Sequence, residues 1–337
     1  MMFSIRMANF WLLFLVFSSV CALAESALSG VEDLLATMEQ NTQELNYQGS
    51  VVYTKGRHME SIKIHHGFEE GTQLERLEYL SGAPRVIIRR GDKVFFVNSK
   101  VGVIQLKKPL PPGPFARDYH AQLGLSNANY QLQLGGNTRV AGRSVQLIEL
   151  QPQDRHRFGF ELALDQKTGL LLRSLMIDQQ GNVLERFEYT NIAIGGQISA
   201  KKFIITALNE PSLSSTTDAH LPQLKKGNSS LEGPQKAVPI WTVGWLPAGF
   251  LLLDAQLPHA LDLKAPVPNA MMYTDGLTAF SIFVADGVDM SDFNLIQKGP
   301  TTAYSSAKKD SSGIYTVTVV GEIPAETAKE IAASVRR

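Results

Sequence analysis

The residues with which this chain could do chemistry fall in three short stretches, His65-His66, Arg89-Arg90 and Arg155-His156-Arg157. Two imidazoles could hold a metal ion, and an arginine fork offers paired N–H donors to a carboxylate or a phosphate. Spacing weighs against the metal. Successive side chains of a strand point to opposite faces, so His65 and His66 cannot chelate one ion together and are expected as solvated surface histidines. Arg89-Arg90 falls in a candidate turn, and Arg155-His156-Arg157 lies just ahead of a strongly alternating stretch. Each is read either as a solvated turn or as a contact to a lipid headgroup or partner, with Arg89, Arg90, Arg155 and Arg157 as the contacting residues. The chain has no Gly-x-Ser-x-Gly elbow, Gly-rich phosphate loop or His-Glu-x-x-His pair. Neither catalysis, nor a metal, nor any other cofactor is therefore expected.

The elements that would carry these residues are mostly strands. Ser29 and Glu32 form a capping box, and Val31, Leu34, Leu35 and Met38 repeat at helical spacing. From Tyr47 the period changes to two. Tyr47, Gly49, Val51 and Tyr53 alternate with Gln48, Ser50, Val52 and Thr54, followed by Ile62 and Ile64 and by short strands at 74–80, 85–89, 93–98 and 101–106. Between Arg157 and Asp165, Phe158, Phe160, Leu162 and Leu164 point one way while Arg157, Glu161 and Asp165 point the other, which predicts a strand wet on one face. Turns at 165–169 and 179–182 connect it to strands at 170–177 and 183–192, giving an antiparallel meander. Pro109 to Pro114 interrupts that meander, with a short helix expected over 115–123.

Arg6, the apolar run from Phe10 to Val20 and Ala22-Leu23-Ala24 read as a secretory leader cleaved after Ala24. Its apolar core is too short to span a bilayer. Cys21 is the only cysteine. Acylation there would make a lipoprotein, but Val20 fits that signal poorly, so the exported chain is expected to be soluble and thiol-free. Removing the leader leaves 31 basic against 32 acidic residues, without the clustered basic surface a nucleic-acid partner requires.

The remaining 313 residues exceed one ordinary core. A Ser-, Thr-, Pro- and Gly-rich stretch divides them into units at 25–208 and 238–337 with a linker at 209–237. The second unit shows a hairpin at Asp275-Gly276, a strand at 314–320 and a helix starting near Pro324 whose C-terminus Arg336-Arg337 would complement. The fold class is α+β: a curved antiparallel half-barrel with helices on its concave face, plus a smaller α+β unit. Such a sheet either packs Phe158, Phe160, Leu162 and Leu164 as plain core or opens an apolar groove lined by Val51, Tyr53, Phe115, Phe158, Phe160, Leu162 and Leu164.

Five segments carry a resemblance: Tyr47-Gln-Gly-Ser-Val-Val-Tyr53, Leu110-Pro-Pro-Gly-Pro-Phe115, Trp245-Leu-Pro-Ala-Gly-Phe250, Tyr273-Thr-Asp-Gly-Leu277 and Val317-Thr-Val-Val-Gly-Glu-Ile-Pro324. Through them the chain resembles the MucB/RseB family. The resemblance implies a first unit similar to the lipoprotein carriers LolA and LolB. It also implies a periplasmic regulator that binds the periplasmic part of the anti-sigma factor RseA and shields it from the site-one protease DegS. Release would follow sensing of lipopolysaccharide or lipoprotein acyl chains. A periplasmic lipid or lipoprotein carrier using the same groove is the competing function, and an exported hydrolase with a dispersed site is a third. The sequence leaves homo-oligomerisation open.

Overall fold

In the computed structural model, which describes residues 30–99, 102–106, 129–205, 241–253, 270–287 and 295–337, the alternation becomes an eleven-stranded antiparallel sheet. Its strands are β1 (Tyr47–Lys55), β2 (His58–Glu69), β3 (Thr72–Tyr79), β4 (Arg85–Arg90), β5 (Lys93–Asn98), β6 (Gly102–Gln105), β7 (Tyr130–Val140), β8 (Arg143–Pro152), β9 (Gly159–Asp165), β10 (Leu171–Ile177) and β11 (Val183–Ile194). They are ordered β6-β5-β4-β3-β2-β1-β11-β10-β9-β8-β7. Two meanders, β1 to β6 and β7 to β11, are thus joined where β1 pairs with β11, Tyr53 opposite Phe187. The sheet is open, with β6 and β7 as edges, yet β7 comes back into contact with β11 although β8, β9 and β10 stand between them. Strong curvature is the only way to bring those strands together, and sheet twist plus a bulge at Ser50/Val51 supply it. The leader, Ser29, the 109–114 loop, Phe115 with its expected helix, and the 209–237 linker lie outside the described residues.

A helix over residues 30–44, α1, covers part of one face. Its Val31, Leu35 and Met38 enter a cluster with Ile148, Leu150, Phe158, Phe160, Leu162 and Leu164. Fully burying one such side chain contributes about 1.5–3 kcal/mol, so tertiary packing rather than propensity holds so short a helix. Asn41 Nδ2 also donates to the Thr168 carbonyl at 2.6 Å, tying α1 to the β9–β10 turn. Strand β9 departs from the expected one-sided pattern. Ala163 and Asp165 on its other face are buried as well. Curvature folds Ala163 into a second cluster with Val51, Ile62, Leu77 and Phe187, and the Arg143 guanidinium covers Asp165 through bonds of 2.6 and 2.9 Å.

A second, six-stranded sheet contains β13 (Leu251–Leu253), β14 (Ala270–Thr274), β15 (Ala279–Asp286), β16 (Leu295–Lys298), β17 (Thr301–Asp310) and β18 (Gly313–Gly321), ordered β13-β14-β15-β18-β17-β16. Helix α2 (Ala325–Ser334) packs Ala328, Ile331 and Ala332 into its core with Val317, Val319 and Phe280. Pro324 occupies the position just before the first helical residue. Arg336 and Arg337 do not complete the helix C-terminus as expected. Arg336 instead pairs with Thr242 in a small ladder of β12 (Thr242–Val243) and β19 (Val335–Arg336), and Arg337 stacks its guanidinium over Trp241. The cation at that helix end is Lys308 of β17, whose ammonium donates to the carbonyls of Ala333 and Val335, each at 2.7 Å. Among the described residues no helix is long and apolar enough to cross a membrane.

Candidate functional site: the joint between the sheets

Arg157 stands immediately before β9 and is the bulkiest fully buried side chain among the described residues. The expected solvated turn is therefore absent at this residue. A guanidinium without water must be bonded on every side, and this one is. Nε and Nη2 reach the two oxygens of Asp154 at 3.1 and 3.0 Å. Nη1 donates to Asp275 Oδ2 at 2.8 Å, and Nη2 also donates to the Ala248 carbonyl at 2.5 Å. Its carbon lies 5.1 Å from the Phe250 ring centre and 5.6 Å from that of Tyr130.

Asp275 is the complementary half. One oxygen, Oδ1, accepts from its own turn: Leu277 N at 3.0 Å and Thr278 N at 2.9 Å. The other, Oδ2, faces the first sheet, where Arg157 and the Tyr130 hydroxyl (3.2 Å) donate to it. The Asp275-Gly276 hairpin turn found in the sequence thus does double duty. An Asx turn shapes the loop through one carboxylate oxygen while the other fixes the loop to another sheet. The turn at 245–250 behaves similarly: Gly249 packs on Asn129 so closely that an added Cβ would lie 2.7 Å from Asn129 Cγ.

Further contacts extend this seam. His156 stands edge-on to Trp245 at 5.0 Å, its Nδ1 3.2 Å from Thr327 Oγ1, and Arg155 bonds Glu330 at 2.7 Å. Lys55 reaches Glu322 at 3.4 Å. At the other end Gly56 and Gly299, both at positive φ, meet backbone to backbone; a Cβ on Gly299 would lie 2.7 Å from Gly56 N. Only glycine suits both that conformation and that approach. Leu277 itself is buried in the apolar cluster of the first sheet.

The other arginine pair and the histidines lie on neighbouring strands of the first sheet, with His66, Glu75 and Arg89 in register. Arg89 and Arg90 end strand β4 rather than forming a turn. Arg89 is buried with its Nε 3.4 Å from Glu75, and Arg90 donates to the Phe203 carbonyl at 2.6 and 3.1 Å. His65 and His66 are both buried, not solvated, because β2 is an interior strand covered on both faces. His66 stacks on Tyr47 with ring centres 4.5 Å apart. Its Nδ1 is 2.7 Å from the Leu45 carbonyl, which can only accept, so Nδ1 carries the hydrogen and Nε2 accepts from the Gln73 amide at 3.0 Å. Burial pulls His66 down to about 4 despite the Leu45 bond, and the Arg89 charge adds to that effect.

This fixes a pH dependence. With a folded value near 4 and an unfolded one near 6.5, the unfolded chain takes the proton first as pH falls. The stabilisation is complete above about pH 6.5 and is lost progressively toward pH 4, amounting to about 3 kcal/mol. Denaturant titrations at pH 7 and 4.5 should show most of that loss in the parent and a smaller loss in His66→Gln; equal losses would remove His66 as the cause.

Of the proposed groove residues, Phe158, Phe160, Leu162 and Leu164 lie together under α1, whereas Val51 and the half-buried Tyr53 belong to the second cluster. Residue types alone could not reveal the joint, since Asp275 is 118 residues from Arg157; the one available signal was that Arg157 and Asp275 both adjoin apolar runs.

Fold and joint define a protein of two antiparallel-sheet units clamped to each other at their turns by a buried ion pair. Family models for the MucB/RseB N-terminal and C-terminal domains match residues 30–207 and 235–336. The sigma factor AlgU regulatory protein MucB of Pseudomonas aeruginosa is 31% identical over 96% of both chains. The sigma-E factor regulatory protein RseB of Escherichia coli is 24% identical over 90% of this chain and 89% of that one. The solved Pseudomonas aeruginosa MucA/MucB complex superposes with a TM-score of 0.68 at 27% identity, covering 91% of this chain and 98% of that one. The chain belongs to the MucB/RseB family.

Proposed function

We propose that this protein is a periplasmic regulator of a sigma factor, not an enzyme, and that it acts by binding the periplasmic part of a membrane-spanning anti-sigma factor of the RseA type. Binding shields that partner from site-one proteolysis. The observation that carries this reading is the similarity, over both units, to MucB solved together with MucA. Residues 25–208 and 238–337 form the two units, with 209–237 as the linker between them. An acyl chain of lipopolysaccharide or lipoprotein enters the first unit against Phe158, Phe160, Leu162 and Leu164, with Val51, Tyr53 and Phe115 extending the path, and lowers affinity for the partner. Of the four arginines, Arg90 and Arg155 keep their side chains at the surface and serve as the headgroup or partner contacts. Arg89 and Arg157 point to Glu75 and Asp275 of their own chain.

The exported protein should start at Glu25, and intact mass spectrometry checks this; an acylated Cys21 would contradict it. The regulatory function is tested by mixing the exported chain with the anti-sigma periplasmic part and a site-one protease. Cleavage should slow in the complex and resume when lipopolysaccharide is added below its micellar concentration. Each buried methylene contributes about 0.8 kcal/mol, so partial insertion of one acyl chain exceeds the roughly 1–3 kcal/mol that typically couples two sites. Lipid binding with unchanged partner affinity would instead favour the carrier function.

A further inference from the structure

Leu277 is an aliphatic side chain that leaves its own sheet to fill the core of another. It projects from the β14–β15 turn of the second unit, and it is buried with Leu35, Tyr130, Leu150, Phe160 and Leu162 of the first. The socket it fills is therefore one that already accepts a branched hydrocarbon from outside the first sheet. Two residues earlier, Asp275 of the same turn holds Arg157 and Tyr130. Tyr130 in turn stands 6.3 Å, ring to ring, from Phe160. Socket and ion pair share one four-residue turn, Asp275 to Thr278, whose Asx bonds leave little room for Leu277 to move alone.

We propose that the Leu277 socket is the acyl-chain subsite of the first unit, and that a hydrocarbon chain can occupy it only by expelling Leu277 and so parting Asp275 from Arg157. This rests on the acyl-sensing part of the function proposed above and gives it a residue-level site. Ligand entry and opening of the joint become one event. Each methylene that takes over the vacated socket contributes about fourfold in affinity, offset by the closed joint, which lowers apparent affinity by the fraction of molecules that are open. Any change that loosens the joint must tighten binding of the chain, and any change that locks it must weaken binding.

The joint and the socket can be opened separately. The parent, Asp275→Asn and Leu277→Ala are titrated with dodecanoate below its micellar concentration. Asp275→Asn removes the charge that faces Arg157 but keeps a side-chain oxygen for Leu277 N and Thr278 N, and it should bind on the order of tenfold more tightly than the parent, as should Leu277→Ala. Circular dichroism establishes that both variants are folded. Equal dissociation constants in the three proteins overturn the socket and leave acyl sensing intact. No dodecanoate binding in any form overturns both.

Discussion

Exchanging Arg157 for leucine is expected to destabilise the full chain by about 3–5 kcal/mol, the range for removing one partner of a buried ion pair. The structure explains why the loss should sit at the upper end of what single substitutions do. Arg157 is wholly inaccessible and bonds three separate segments, the Asp154 turn, the Asp275 turn and the Ala248 carbonyl. Leucine fills part of the volume but takes the guanidinium donor away from Asp275 Oδ2 inside the joint. Arg157→Lys keeps the charge without the planar fork and should lie between the two. Urea unfolding followed by far-ultraviolet circular dichroism and by tryptophan fluorescence provides the measurement. Trp241 and Trp245 both lie in the second unit, so coincident transitions in the parent should separate in Arg157→Leu as the units lose their coupling. The double variant Arg157→Leu/Asp275→Leu should recover part of the loss, because an uncompensated buried charge costs more than an apolar pair. A loss below about 1 kcal/mol for Arg157→Leu would mean the pair is ordinary surface chemistry.

Much of the strand layout is readable in the residues, and what escapes has physical causes. Strand β9 announces itself because Phe158, Phe160, Leu162 and Leu164 alternate without a break, and β10 because turns at 165–169 and 179–182 bound it. Strand β7 is hidden by Gly135-Gly136 and by the bulge that shifts its register between Leu134 and Asn137. Strand β17 reads Thr-Thr-Ala-Tyr-Ser-Ser-Ala-Lys-Lys-Asp, too small and polar to mark a strand by itself; β16 and β18 make it one by pairing on either side. The histidines and arginines escape the sequence pattern for a different reason. Periodicity assigns a face to a side chain but cannot say whether another layer covers that face, so His66, Arg89 and Arg157 look solvated until the sheet curls and the second unit arrives. The turns at 245–250 and 273–277 were visible as family marks, yet their physical task, holding Arg157 from two sides, needs three dimensions. As signatures of the joint they would carry the same chemistry whatever partner is bound.

A chain ending after Gly233 should keep its first sheet but lose both tightness and partner binding. The ladder between β1 and β11 and the packing of α1 are internal to that unit and survive truncation. Arg157, by contrast, loses Asp275 and the Ala248 carbonyl, and the socket of Leu277 opens to water next to Phe160 and Leu162. The truncated chain should therefore show β-rich circular dichroism and a midpoint in urea well below that of the full protein. A fluorescent apolar dye should report the uncovered cluster. Affinity for the anti-sigma periplasmic part should fall by about two orders of magnitude or more, as expected when hot-spot contacts of one unit are removed from a surface built by two. Calorimetric titration of that partner decides the point. Full protection of the partner by the truncated chain would confine binding to the first unit, and the second unit would then serve only as the lid that Leu277 and Asp275 hold in place.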